Sequence, residues 1–295
     1  MININFPITK LFESKNEELT SKSRIIFNIP KDKSEQPVSK VKVEEGFIYT
    51  LYGNNGIGKT TFMNILALLT DCEESYYAEG SNFNYGFSNL TNSDTDKRSL
   101  SRFKYFSFIF QDPHIINMYT LNENLSIVNS NFNYIDDLNY IREKITELEL
   151  ADYTKDFLNT KIDKFINEKD STPYYLSGGE KQLMAFIRAL IKPSNILFAD
   201  EPWASMDSHL KEFIESQLYM YIHDKDIFRT IRNRNNDLSD KKVVIIISHP
   251  TQKRVHEKEY GERVEEWTKM IPVTRNKSED VDNAQILYLE QHRAI

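Results

Sequence analysis

The chain of 295 residues contains a single cysteine, Cys72. No intrachain disulfide can form, which excludes a disulfide framework and fits a reducing, cytosolic compartment. No apolar run approaches the roughly 18 to 20 residues that a membrane-crossing helix needs. The opening MININFPITK lacks the pattern of a secretion signal. Excess positive charge is missing too: 37 Lys and Arg stand against 44 Asp and Glu, a formal net charge of -7. No global field therefore favours nucleic acid or an anionic lipid surface. Internal repeats and low-complexity tracts are absent. What is there is ordinary globular composition, 27% charged and 12% aromatic, in a chain long enough to bury a full core.

Two glycine motifs carry the chemistry. Gly53, Asn54, Asn55, Gly56, Ile57, Gly58, Lys59 and Thr60 form the pattern G-x-x-x-x-G-K-T, which marks a nucleoside-triphosphate site. The stretch from Gly46 to Tyr52 alternates and is rich in β-formers, so it predicts a buried strand. After the loop, Phe62, Ile65, Leu66 and Leu69 recur at helical spacing, with Thr60 and Thr61 in the first turn. Glycine permits close backbone approach, so successive N–H groups can face one anion, and the helix N-terminus adds partial positive charge. Lys59 is placed to reach the β- and γ-phosphates of ATP and the Thr60 hydroxyl to ligate Mg²⁺. The second motif is Leu176-Ser177-Gly178-Gly179-Glu180. It opens a predicted helix whose apolar positions are Leu183, Phe186, Ile187, Leu190 and Ile191, and a hydroxyl with two glycines at a helix N-terminus is again an anion site. One chain already has a P-loop, so the second site best serves the nucleotide of another subunit.

Three further strand ends matter. Asn195 to Asp200 predicts an apolar strand that delivers a carboxylate to its C-terminal end, near a P-loop Mg²⁺; Glu201 follows at once, placed to polarise the attacking water. Lys242 to Ser248 predicts a second buried strand, ending at His249, which by itself reads as a structural histidine. Lys104 to Phe110 predicts a third, ending at Gln111.

Taken together, GNNGIGKT, LSGGE about 120 residues later, and Asp200-Glu201 resemble the ATP-binding cassette (ABC) ATPase family, over roughly Ile8 to Pro250. The resemblance implies a P-loop NTPase core of the α/β class: a mostly parallel sheet flanked by helices, an antiparallel β subdomain near the N-terminus, and an inserted α-helical subdomain. It implies that Gln111 senses Mg²⁺ and the γ-phosphate, that His249 is the switch histidine at the γ-phosphate, that Asp207 lies in the dimer-contact loop, and that two cassettes sandwich two ATP molecules between P-loop and LSGGE. Phe12 suits either adenine stacking or the core. Leu183, Met184 and Trp203 depart from residues usual in the family, but no catalytic group is lost.

The expected organisation is a first part of the ATP-binding core at 1–111, a helical subdomain at 112–175, the signature and the rest of the core at 176–250, and an extension at 251–295. Leu138, Ile141, Ile145 and Leu148 share one helical face in the subdomain. Ser75 to Arg102 is rich in Asn, Ser, Asp and Thr and reads as loop. Asp224 to Lys241 reads as an enlarged surface loop whose Arg229, Arg232 and Arg234 form either a solvated basic face or a phosphate- or partner-binding patch. From Thr251 the charge pattern is helical, with a last strand-like run at Gln285 to Leu289. Phe110 to Asn124 resembles the transporter-cassette stretch that leads into the subdomain. Its Ile115, Ile116, Met118, Tyr119 and Leu121 suit internal packing or the floor of a groove for a partner helix. The spacing leaves no room for the coiled coils of chromosome and repair ATPases, and there is one cassette rather than the two of translation-type proteins. The expected function is thus the ATP-hydrolysing subunit of a membrane transporter, peripheral on the cytoplasmic face. Its expected partners are a second cassette and integral membrane subunits, without nucleic acid; a soluble ABC ATPase is the alternative.

Overall fold

The computed structural model describes backbone and side chains for 43–51, 56, 58–70, 95–203, 206–234 and 242–247, and by backbone alone the remaining residues of the strands named below. In chain order the elements are β1 (Ile2–Asn5), β2 (Ile8–Glu13), β3 (Lys22–Phe27), β4 (Lys40–Val43), β5 (Phe47–Tyr52), α1 (Lys59–Leu66), β6 (Phe83–Asn84), β7 (Asn89–Leu90), α2 (Thr95–Tyr105), β8 (Phe106–Ile109), α3 (Leu121–Ser126), α4 (Tyr134–Glu147), α5 (Asp152–Asn167), α6 (Gly178–Ile191), β9 (Ile196–Asp200), α7 (Ser208–Tyr221), α8 (Arg229–Arg232), β10 (Val243–Ile247) and β11 (Thr268–Pro272). They fall into two compact units, 1–103 with 245–295, and 104–244. Among the described residues no helix is long and apolar enough to cross a membrane.

The first unit carries the antiparallel ladders. β1 pairs with β4, Ile2 opposite Val43, and β2 pairs with β3 from Ile8–Phe27 to Glu13–Lys22. β5 instead runs parallel to β11, Ile48 opposite Thr268, and buries Ile48, Tyr49 and Leu51. β11 is a strand where the charge pattern predicts helix; the ladder to β5 supplies its backbone partners, and tertiary pairing overrides local pattern. α1 buries Phe62, Met63, Ile65 and Leu66, whereas Leu69 lies beyond the helix end and is 41% exposed. Between them the chain turns at Leu68, whose φ of 58° is left-handed. Its carbonyl accepts from Arg98 Nη2 at 3.1 Å and Arg102 Nη1 at 2.5 Å. Those arginines belong to α2, a helix in the stretch read as loop. Arg98 is its one buried residue, so no apolar stripe announces it.

The second unit is built on β8 and β9, which pair in parallel from Phe106–Ile196 to Ile109–Ala199. All five residues of β9 are buried, as a strand covered on both faces requires. α6 packs behind them with Leu183, Phe186, Ile187, Leu190 and Ile191 all buried, and Ser107 donates to the Ala189 carbonyl at 2.5 Å. α4 buries Leu138, Ile141 and Ile145 against α5; Leu148 caps the helix and stands outside the stripe.

The segment 224–234 corrects the surface-loop reading. Ile227, Phe228, Ile231 and Arg232 are buried. Arg232 Nη2 donates to Asp224 at 2.5 Å and Asp226 at 2.7 Å, and Nη1 to the Leu190 carbonyl at 2.9 Å. Arg229 pairs with Asp224 at 2.9 Å and Arg234 with Asp137 at 2.5 Å. All three arginines are therefore paired with carboxylates; Arg232 is fully buried and needs such partners for its fixed fork of donors, while Arg229 and Arg234 remain partly exposed. Positions 235–241, the 251–267 stretch and the run at Gln285–Leu289 lie outside the described residues, as does Cys72.

Candidate functional site

In the first unit, β5 feeds the glycine loop and α1 leaves it. Gly56 has φ 74° and Gly58, the N-cap of α1, has φ 106°. Both values favour glycine over any residue with a Cβ. Nothing lies within 4 Å of where a Cβ on Gly56 would sit, so at that position the backbone angle and not crowding demands glycine. The Phe62 N–H closes the first helical turn on the Gly58 carbonyl at 2.8 Å. Lys59 is buried, Thr60 exposed and Thr61 half-buried in that turn. Gly53, Asn54, Asn55 and Ile57 lie outside the described residues, and of Phe12 only the β2 backbone is described, opposite Ser23.

In the second unit, β9 ends on Asp200, buried, and Glu201 turns away with φ 43°. A left-handed glutamate is unusual, and the residue before a proline is normally held extended, so this turn stores strain of about 1–3 kcal/mol. Trp203 follows, 8% exposed, and its carbonyl accepts the Met206 N–H at 3.2 Å. Asp207 caps α7, accepting from the His209 and Leu210 N–H groups at 3.1 and 2.9 Å. His249 lies outside the described residues.

Gln111 is exposed at the end of an aromatic column. Phe198 stacks on Phe108 at 5.7 Å, Phe108 on Phe110 at 5.5 Å, and Phe110 on His114 at 4.8 Å. His114 also adopts a left-handed φ, 45°, and its carbonyl accepts from Arg188 Nη2 at 3.1 Å. Beyond it, Asn124 holds the loop: its side chain accepts the Ile116 N–H at 2.9 Å and donates to the Ile116 carbonyl at 3.0 Å. Of the apolar run, Leu121 is core, while Ile116, Tyr119 and above all Met118, 91% exposed, face solvent. Internal packing thus accounts for Leu121 but not for the three exposed side chains.

The LSGGE segment caps α6. Ser177 accepts the Glu180 N–H at 3.3 Å and Glu180 accepts the Ser177 N–H at 2.8 Å, a reciprocal capping box. Ser177 and Gly178 are exposed, and nothing lies within 4 Å of a Cβ placed on Gly178. A Cβ on Gly179 would meet Leu210 Cδ1 of α7 at 3.4 Å, an ordinary van der Waals contact. Glu180 is buried, and Lys161 and Lys164 of α5 reach it at 3.0 and 2.9 Å.

Residue-by-residue reading missed one member of the site. Gln182, buried on α6, donates from Nε2 to the Pro202 carbonyl at 3.1 Å and to the Phe110 carbonyl at 3.3 Å. It joins the backbone beside Glu201 to the backbone beside Gln111. A lone polar residue on an otherwise apolar helix face was the signal available.

A glycine loop capping a helix, and a buried strand ending in paired acids, are the parts of a P-loop nucleoside triphosphatase of the α/β class. Residues 38–204 match the family model described as ABC transporter, more than half the chain. The chain belongs to the ABC transporter family. It is 29% identical over 202 residues to the lipoprotein-releasing system ATP-binding protein LolD of Francisella tularensis subsp. holarctica, covering 68% of this chain and 79% of that protein. It is 31% identical over 186 residues to the putative hemin import ATP-binding protein HrtA of Staphylococcus haemolyticus, covering 63% and 75%. A solved dimeric structure of a bacterial ABC transporter cassette shares its fold with TM-score 0.56 at 20% identity, over 94% of this chain and 98% of that one.

Proposed function

We infer that this chain is the ATP-hydrolysing subunit of an ABC membrane transporter, working from the cytoplasmic face as a pair of cassettes bound to integral membrane subunits. The observation that carries this reading is the family match, which spans the P-loop, the signature helix and the Asp200-Glu201 strand end in one stretch. The relatives named for lipoprotein release and hemin import favour a transporter over a soluble ATPase.

In this reading the loop Gly53–Thr61 binds the triphosphate of ATP, with Lys59 at the β- and γ-phosphates. Thr60 and Asp200 are hard oxygen donors, an exposed hydroxyl and a buried carboxylate. That set suits Mg²⁺, which is held by one or two carboxylates together with substrate phosphates and neutralises their charge. Glu201 accepts a proton from the attacking water; Gln111 and His249 contact the γ-phosphate; Ser177, Gly178 and Gly179, with Asp207, face the nucleotide of the second cassette, while Glu180 serves that end from inside by capping the helix. Phe12 stays a candidate for the adenine. The helical subdomain is assigned to 112–175, with the exposed Ile116, Met118 and Tyr119 near its start receiving a cytoplasmic helix of the membrane subunit.

The test is purification from detergent-solubilised membranes with cysteines placed at Tyr119 and Asn122 for crosslinking. An integral membrane protein crosslinked at these positions supports the reading. Recovery of soluble partners alone overturns it.

A further inference from the structure

A carboxylate in the first turn of a helix is welcome to the helix itself but unwelcome to an anion approaching that end. Glu180 stands at such a place, three residues from Ser177. The second unit shows how the conflict is resolved. Glu180 is turned inward: its oxygens accept the Ser177 N–H at 2.8 Å, Lys164 Nζ at 2.9 Å and Lys161 Nζ at 3.0 Å. The two lysines are one helical turn apart on α5, so they present together. Leu158, Ile162 and Phe165 bury the neighbouring face of that helix, and Lys161 is further seated over the Phe157 ring at 5.3 Å. Burial alone would raise the Glu180 carboxyl, but the hydrogen bonds from Lys164, the Ser177 N–H and Lys161 outweigh it and hold it at about 2. It is ionised at neutral pH. One negative charge against two positive ones leaves a net positive charge beside the exposed Ser177 and Gly178.

We propose that Lys161 and Lys164 are positioning residues of the signature site: they draw Glu180 away from the exposed end of α6 and reverse the local charge, so that this end can accept the terminal phosphate of a nucleotide held by a second copy. The inference rests on the paired-cassette reading above. It also makes α5 the element through which the helical region sets the affinity of the signature for nucleotide.

The experiment uses the full chain carrying Glu201→Gln, with ATP–Mg²⁺ titrated and dimer formation read by light scattering. Lys161→Met with Lys164→Met is compared in two backgrounds, Glu180 and Glu180→Gln. With Glu180 present, removing the lysines raises the ATP concentration for half-maximal dimerisation about tenfold; with Gln at 180 the rise shrinks below about twofold, a coupling in the range of contacting charged groups. Lys164→Met alone carries the same comparison if the pair does not fold. A replacement of both lysines by arginine keeps the charge and follows the parent. The proposal is overturned by an equal rise in both backgrounds, which is the behaviour of a mere tether, by no rise in either, or by a rise with arginine as large as with methionine. If the Glu201→Gln parent itself fails to dimerise with ATP in the presence of its membrane partner, the paired-cassette reading falls and the lysine role falls with it.

Discussion

Gln182 Nε2 lies 3.1 Å from the carbonyl oxygen of Pro202, the residue after the left-handed Glu201. A strained turn persists only where its surroundings over-determine it. Here the second hydrogen of the same amide, donated to Phe110, ties the turn to the backbone that precedes Gln111. One side chain thus sets two loops at once.

Gln182→Leu keeps the volume and removes both bonds, leaving two carbonyls without this donor. The expected loss is about 1–3 kcal/mol of stability, read from urea unfolding. ATPase turnover is expected to fall more than ATP affinity, because the loops and not the P-loop are released. Parental turnover in a folded Gln182→Leu protein counts against this role.

Glu201→Gln keeps the shape of the side chain and removes its basicity. Turnover is expected to drop by about 10²–10⁴-fold, the usual contribution of a positioned base, with ATP still bound. Hydrolysis at the parental rate would exclude Glu201 as the base.

Lys59→Ala removes the cation at the P-loop. Calorimetry with ATP–Mg²⁺ is expected to show lost affinity, and turnover should vanish with it. Affinity and turnover both undiminished would remove the P-loop from the account.

Arg232→Met leaves Asp224 and Asp226 buried without their main counter-charge. Breaking a buried pair from one side costs about 3–5 kcal/mol. The urea midpoint should fall steeply, and Asp224→Asn added to it should recover part of the loss. A loss of stability below about 1 kcal/mol would make the network a surface one in energetic terms.

Glu180 makes a further, pH-dependent contribution. Its folded pKa, about 2, lies below the ordinary 4.5. A depressed carboxylate stabilises the fold fully above the ordinary value and loses that contribution as pH falls toward the folded one. The gap in thermal midpoint between the parent and Glu180→Gln should therefore narrow from about pH 5 to about pH 3. A gap that is flat across that window, or widens toward acid, contradicts the ion-paired arrangement.

The parts legible from sequence are those with an apolar period. β5, β9 and α6 announce themselves because burial on one or both faces writes a pattern into the chain. α2 does not, because its buried contact is made by Arg98 to a carbonyl 30 residues away, and a charged residue reads as solvated. The segment 224–234 hides for the same reason: three arginines look like surface until Asp224, Asp226 and Asp137 are brought to them. Gln182 stands out only as a polar residue on an apolar face; its role is hidden because its partners are 72 and 20 residues distant. The capping box between Ser177 and Glu180 follows from their spacing, but the ion pairs of Glu180 could not be read from its motif, since Lys161 and Lys164 sit on another helix.

Trp203 gives the molecule a reporter of its own. The chain has two tryptophans, and replacing Trp267 with phenylalanine would leave one. Trp203 lies two residues past Glu201, shielded from water, so its emission should be short in wavelength and hard to quench. Any rearrangement of the strand end during a nucleotide cycle would change that colour, and the cycle could be followed in real time without attaching a dye.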